Sequence, residues 1–390
     1  MLVGKIEKSL NAMTKAKLNL TFFASLGGYG GLELQLLKKT EEAINRGHSA
    51  TIITKPNSKI EKTAKLINLP FFPILNRYKY TDFKAVIKLG NFLKTNKTDA
   101  LIISQSFQLG TGILARNIFS PDTSIVFFQQ MQSGINKKDL YHNWIYKNIE
   151  TAIVLTNKMK SQLIKSTNII HSKINVIPLG IDLKKFNSNN FNKKSSRDYF
   201  KLPKDSFLIG CIARIEPNKS QITLLKALKE IKIEKSILVF CGNIDNQEYY
   251  SNLLAYSKDI GISSKVIFLD FTEDVPMLMN CFDVFILPTL SETYGLVIIE
   301  AMASGIPVIA VNRGGVPEII THKESGFLIE PDSHSKLAEY LETIYTDSDI
   351  KNHFVENAFN TIEEKFEETT QTDKFFKVIE NTIKERKEIR

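Results

Sequence analysis

The chain has 390 residues, with 43% hydrophobic and 24% charged side chains and a formal net charge of +9. That length accommodates two domains of ordinary size, and the composition is that of a globular protein rather than a disordered one. No apolar run approaches the roughly 18 residues of a spanning helix, and the first residues carry Lys5, Lys8, Lys15 and Lys17 without the apolar core of a secretory signal, so a cytoplasmic location is expected.

In chain order, strands are predicted at 18–23, 50–54, 100–104, 124–128, 151–155 and 174–177, then at 207–212, 236–241, 266–269, 283–287 and 307–311, with helical spacing between them. Short buried strands alternating with helices predict parallel sheets covered on both faces, an α/β chain. Residues 182–196 are rich in Lys, Asn and Ser and read as an exposed linker. The expected division is therefore 1–182 and 183–369, with a helical tail at 370–390. Cys211, Cys241 and Cys281 lie at or near predicted strands without metal-ligand spacing, so reduced buried thiols are expected.

The densest motif is LPTLSETYGLVIIEAMASGIPVIAVNRGGVPEII at 287–320. Glu292 and Glu300 stand eight positions apart across Gly295, the first on a predicted strand-to-helix loop and the second on the helix, with Gly305 as its stop. A helix N-terminus between two carboxylates offers N–H groups and partial positive charge to an anion, while the carboxylates accept from hydroxyl groups beside it. A nucleotide sugar, with hydroxyls on both sides of a diphosphate, has that shape.

This block resembles the signature of the family 4 retaining glycosyltransferases. Two further blocks agree: GCIARIEPNK at 210–219, with Arg214 and Lys219, and VIPLGID at 176–182, which is similar to the family's domain junction. At the N-terminus, GGYGG at 27–31 with Glu33 and the Arg46-Gly-His48 triplet is similar to the first loop and helix. The resemblance implies a GT-B fold, two Rossmann-like domains facing a cleft, the first binding acceptor and the second binding donor, with the C-terminal helix joined to the first. It implies that Glu292 contacts the transferred sugar and Glu300 the donor ribose. Arg214 and Lys219 would hold the departing diphosphate, helped by the loop Thr293, Tyr294, Gly295 and Leu296. Front-face attack would retain configuration, and no cofactor or metal is expected, the cations and helix N-terminus supplying the positive charge.

Competing readings fail on specific residues. Gly28 and Gly30 begin a dinucleotide fingerprint, but Glu33 stands where its third glycine belongs, and no P-loop sequence occurs. Asp347-Ser-Asp349 has the form of a metal motif but sits in a segment with N-cap chemistry. A nucleotide-sugar 2-epimerase on the same fold would need further acid and base groups, and a non-catalytic partner subunit would be expected to lose donor residues.

On the acceptor side the glycines Gly28, Gly30 and Gly31 let backbone approach a ligand. Where many family members carry a histidine, this chain has Gln129 and Gln130, which orient a hydroxyl but are not bases. His142 nearby reads as a helical surface or packed residue. Residues 1–186 hold 27 Lys and Arg against 11 Asp and Glu, whereas 187–390 hold 24 against 31. The basic half suggests an anionic partner. No nucleic-acid module is visible, so a lipid-linked or glycan acceptor at an anionic membrane surface is expected, with 71–80 offering aromatic and basic groups. Lipopolysaccharide or capsule assembly is the expected setting.

Overall fold

A computed structural model describes residues 17–25, 31–78, 81–132 and 134–388. The chain forms two compact units. The first takes in the described residues up to Leu155, then 160–177 and those from Lys374 onward; the second takes in 156–159 and 178–373.

The first unit holds seven strands: β1 (Asn19–Ala24), β2 (Ser49–Thr54), β3 (Phe71–Pro73), β4 (Ala100–Ile103), β5 (Ser124–Gln129), β6 (Thr151–Val154) and β7 (Ile174–Val176). All pairs are parallel, in the order β3-β2-β1-β4-β5-β6-β7. Every residue of β4, β5 and β6 is buried, because helices on both faces of a parallel sheet leave neither side wet. The helix Glu368–Glu388 enters this unit from Lys374 onward. Phe375 sets its ring edge-on to Phe128, with centroids 5.0 Å apart. Thr382 meets the Thr151 hydroxyl at 2.8 Å.

The second unit holds β8 (Phe207–Ile212), β9 (Ser236–Cys241), β10 (Val266–Leu269), β11 (Val284–Leu287), β12 (Val308–Val311) and β13 (Phe327–Ile329). These pair in parallel in the order β10-β9-β8-β11-β12-β13. Its centre is tightly packed: a Cβ on Gly210 of β8 would fall 2.2 Å from the Phe282 ring, so only glycine lets that ring lie on the sheet. All three cysteines are free and buried. Burial pushes their thiols up, Cys211 and Cys281 to about 12 and Cys241 to about 11, which leaves them neutral and unreactive.

The predicted strands are present, and the sheets add β3 and β13, each three residues long and at a sheet edge. Such short edge strands give little periodic signal, and Pro73 closes β3 because it has no N–H to donate. The segment 182–196 is not an extended linker throughout. Asn192 accepts from the Ser195 N–H and opens a helix at Lys193–Tyr199. On it Arg197, 4% exposed, donates to Asp283 at 2.7 Å and to the carbonyls of Cys281, Lys204 and Ser206. A buried arginine of this kind is retained by the completeness of its partners, which its neighbours' polarity conceals in sequence. Asp347 caps the helix Ser348–Phe366 by accepting from the Asp349 and Ile350 N–H groups, as its turn chemistry predicts. Among the described residues no helix is long and apolar enough to cross a membrane.

Candidate active site

At the carboxyl end of β8 the chain turns so that Ile215 donates to the Asn243 carbonyl while Asp245 and Asn246 donate back to Ile215. This backbone pairing puts the Arg214 guanidinium between two carboxylates, Asp245 at 2.8 Å and Glu216 at 2.9 Å. Its side chain is 57% exposed, so the pairs position it more than they stabilise the fold. A 3₁₀ turn at Pro217–Lys219 follows, and Ser220 takes a left-handed φ of +49° to begin the helix Gln221–Glu230. The Asn218 carbonyl accepts from the Leu290 N–H at 2.9 Å and the Thr289 hydroxyl at 3.2 Å, tying this turn to the loop beyond β11. The Lys219 ammonium then reaches Glu292 at 3.2 Å, both side chains being largely shielded from solvent.

Beyond Glu292 the loop runs through Thr293 and the buried Tyr294 to Gly295, whose φ of +92° marks the N-cap of the helix Leu296–Ala303. No side chain caps this helix; the Ile298 N–H returns to the Gly295 carbonyl at 2.9 Å, so the N–H groups of Leu296 and Val297 are the ones that precede the first intrahelical bond. Glu300 lies on the same helix, one turn further in. Ser304 and Gly305 (φ +70°) close it, with the Ile306 N–H returning to the Ala301 carbonyl. The unit thus brings Arg214, Lys219, Glu292 and an open helix N-terminus to one edge of its sheet, where open parallel sheets bind ligands.

Two features hold this loop that the motif reading did not weigh. The Tyr294 hydroxyl donates to the Leu179 carbonyl at 2.7 Å, and burial raises its pKa well above the ordinary value, so it remains a donor; only the backbone of Tyr294 is left for a ligand. Gly314, with φ +63°, lies against the loop so closely that a Cβ would stand 1.4 Å from the Glu292 carbonyl oxygen. At Gly315 a Cβ would stand 2.7 Å from the Thr293 carbonyl oxygen. The Gly-Gly pair is visible in the sequence as a turn signal, but its contact with Glu292 comes only from the sheet order that places β12 beside β11.

The carboxyl edge of the first sheet is different in kind. Gly28 and Gly30 lie outside the described residues, and Gly31 is the first residue of the helix Gly31–Asn45. Gln129 ends β5 and donates its Nε2 to the Met131 carbonyl at 2.8 Å, leaving Oε1 buried without a partner among the described residues. Gln130 is 3% exposed, and neither atom of its carboxamide has a partner among the described residues. Buried hydroxyls of Thr54 and Ser104, at the ends of β2 and β4, and Oε1 of Gln108 are likewise unpaired. His142 follows its N-cap Asp139 on the helix Leu140–Lys147 and bonds that carboxylate. The N–H and imidazole of His142 hold the Asp139 carboxyl below its ordinary range. Among the described residues no group of three or more His, Cys, Asp or Glu side chains is placed to hold a metal ion.

Two parallel-sheet Rossmann-like units, of seven and six strands, are the fold of the GT-B glycosyltransferases. Comparison with known proteins gives the family: residues 192–361 match "Glycosyl transferases group 1" and residues 29–185 match "Glycosyltransferase Family 4". The chain belongs to the family 4 glycosyltransferases. It is 28% identical over 310 residues to the Escherichia coli UDP-Gal:α-D-GlcNAc-diphosphoundecaprenol α-1,3-galactosyltransferase, covering 75% of this chain and 78% of that one. It is also 28% identical to the Staphylococcus aureus capsular polysaccharide biosynthesis glycosyltransferase CapM, covering 55% of this chain and 57% of that one. With other curated relatives too the match spans about half of their length. A glycosyltransferase from Rickettsia africae has the same fold at a TM-score of 0.86 and 19% identity, covering 95% of this chain and all of that one. Anabaena HepE, solved with UDP, does so at 0.82 and 20%, covering 93% and all.

Proposed function

We propose that the protein is a retaining, metal-independent glycosyltransferase that moves a sugar from a nucleoside diphosphate to a hydroxyl of a lipid-diphosphate-linked acceptor in surface-glycan assembly. The observation that carries this reading is the Lys219–Glu292 pair beside Arg214 at an uncapped helix N-terminus. A diphosphate entering there meets Lys219, Arg214 and the first N–H groups of the helix, and Glu292 is released to accept from a hydroxyl of the transferred sugar. Glu300, further along the helix, suits the ribose hydroxyls. In the reaction the bond from the anomeric carbon to the diphosphate oxygen breaks, and the acceptor oxygen bonds the same face. The acceptor proton passes to the departing phosphate oxygen. The fixed cations stabilise the charge that develops on the diphosphate.

The carrier of the acceptor is inferred from the Escherichia coli relative, whose name specifies a diphosphoundecaprenol acceptor, and from the basic first half of the chain. The test is transfer from a panel of nucleotide sugars to a sugar-diphosphate-lipid in excess EDTA, with the anomeric configuration of the product read by NMR. The expected product keeps the donor's configuration. Inversion, or loss of activity in EDTA restored by magnesium or manganese, overturns the reading. Glu300→Ala should weaken nucleoside diphosphate binding about tenfold or more, the effect of one hydrogen bond to a charged group, whereas Glu292→Ala should spare that binding and damage transfer.

A further inference from the structure

We propose that the first unit carries a binding site for a hexose phosphate, in the cavity between the amino ends of β6 and β7 and the last turns of the helix Glu368–Glu388. The cavity measures about 560 Å³, within the roughly 300–1,000 Å³ of small-molecule sites. Its walls are the start of β6 at Glu150 and Thr151, the 3₁₀ turn His171–Lys173 that leads into β7, and the helix from Val378 to Arg386. In a parallel sheet the amino ends share one edge, opposite the edge where Gln129 ends β5, so this hollow is no part of the acceptor edge.

The hollow is rich in positive charge. Glu150 is already engaged: Oε1 accepts from Arg116 at 3.3 Å and from Arg386, and Oε2 accepts from the Ile125 N–H at 2.7 Å. Arg386 also donates to the Pro121 carbonyl at 2.6 Å, yet its Nε is buried without a partner among the described residues. Lys173 donates to the Ile149 carbonyl at 2.7 Å, which leaves its ammonium two further N–H groups. Three cations thus stand around one engaged carboxylate. Burial lowers the Lys173 pKa; Glu150 opposes that shift, and Arg116 and Arg386 add to it. An anion seated against Lys173 and Arg386 would relieve this crowding and complete their hydrogen bonds.

The rest of the lining suits hydroxyl groups. Ser172, Asn175, Asn381 and Glu385 carry polar groups that no hydrogen bond or ion pair engages among the described residues. Val378 is the one apolar side chain of the lining, and no aromatic ring is present for a nucleobase to stack on. Carboxamides and a carboxylate donate to and accept from sugar hydroxyls, whereas Glu385 would repel a ligand that is anionic throughout. A compact molecule with a phosphate at one end and hydroxyls over the remainder meets both demands. That is the chemistry of a hexose phosphate.

The probes are glucose 6-phosphate and glucose 1-phosphate, titrated calorimetrically into the full chain, with inorganic phosphate and glucose as controls. At least one hexose phosphate should bind. Lys173→Gln, which keeps a donor for the Ile149 carbonyl, should weaken it about tenfold or more, the effect of one hydrogen bond to a charged group. Glu385→Ala should weaken the same ester several-fold without weakening inorganic phosphate. Lys173 is half-buried and Glu385 exposed, and neither belongs to the candidate active site, so both variants should keep the melting temperature and the donor hydrolysis of the wild type. Should Lys173→Gln fail to fold, Glu385→Ala decides. Arg214→Ala should leave the affinity unchanged. The proposal is overturned by absence of binding, by unchanged affinity in either variant, or by inorganic phosphate or glucose binding as tightly as the ester. Loss of binding in Arg214→Ala also overturns it, by placing the ligand on the donor cations. Failure of this site leaves the proposed glycosyl transfer untouched.

Discussion

The two sheets present their carboxyl edges to ligands in opposite ways. The second unit offers charge that is already paired: Arg214 with Asp245 and Glu216, and Lys219 with Glu292. The first offers neutral atoms with no partner among the described residues: Oε1 of Gln108 and of Gln129, both carboxamide atoms of Gln130, and the hydroxyls of Thr54 and Ser104. Paired cations keep their geometry in the empty site and exchange one anion for another when a diphosphate arrives, at little reorganisation cost. Unpaired buried amides are a standing cost of about 1–3 kcal/mol each, sensible only where a ligand hydroxyl completes them. On the proposed reading, diphosphate recognition would rest on electrostatics and acceptor recognition on hydrogen-bond geometry.

The strongest way to break this comparison is to remove a cation. Arg214→Ala should lower turnover by roughly 10² to 10³, the usual loss for one preorganised charge stabiliser. Because its carboxylate pairs are exposed, the folded state should barely notice. Turnover within a few-fold of wild type in a protein with unchanged melting temperature would take the residue out of the mechanism.

Next in size is a change that touches no charge. Gly314→Ala places a Cβ where the Glu292 carbonyl oxygen now lies and strains a φ of +63°, so the loop must shift. Such strain costs about 1–3 kcal/mol, and displacing Glu292 by about 1 Å should lower turnover by roughly 10². The variant should still bind nucleoside diphosphate, since Arg214 and the 3₁₀ turn lie on the other side of β11. If transfer persists at wild-type rate, the Glu292 loop is not held by its glycine neighbour.

The same contrast governs what was legible in the sequence. The donor motif is contiguous because β11, the loop and the helix Leu296–Ala303 follow one another, and its chemistry is charged; spacing alone placed Glu292 and Glu300 on the right elements. Arg214 and Lys219 were visible for the same reason, on the turn after β8. Asp245, one of the two carboxylates that hold Arg214, and the glycine that fixes Glu292 come from the loops after β9 and β12 and meet the site only through sheet order. On the first sheet, Thr54 and Ser104 are ordinary residues at strand ends and Gln108 lies in a short 3₁₀ turn, distinguished only by a buried side-chain oxygen without a partner among the described residues. Nothing local marks them. The buried Arg197, just beyond the supposed linker, was hidden likewise, since its partner Asp283 is 86 residues away.

The smallest expected effect is the most discriminating, because it separates stability from activity. Gln130, 3% exposed, buries a carboxamide with both polar atoms unpaired among the described residues. Gln130→Leu keeps the volume approximately and removes those polar atoms, so it should raise stability by about 1 kcal/mol, the lower range for an unsatisfied buried group. Urea unfolding followed by fluorescence measures the shift. A glutamine that orients an acceptor hydroxyl should, when replaced, raise the acceptor KM several-fold and leave slow donor hydrolysis untouched, since the donor groups sit in the other unit. A variant both more stable and poorer toward acceptor identifies a residue retained for binding at the expense of folding. If the leucine variant is instead less stable, the amide has a partner in the resting protein, and the contrast between a paired donor edge and an unpaired acceptor edge does not hold at this position.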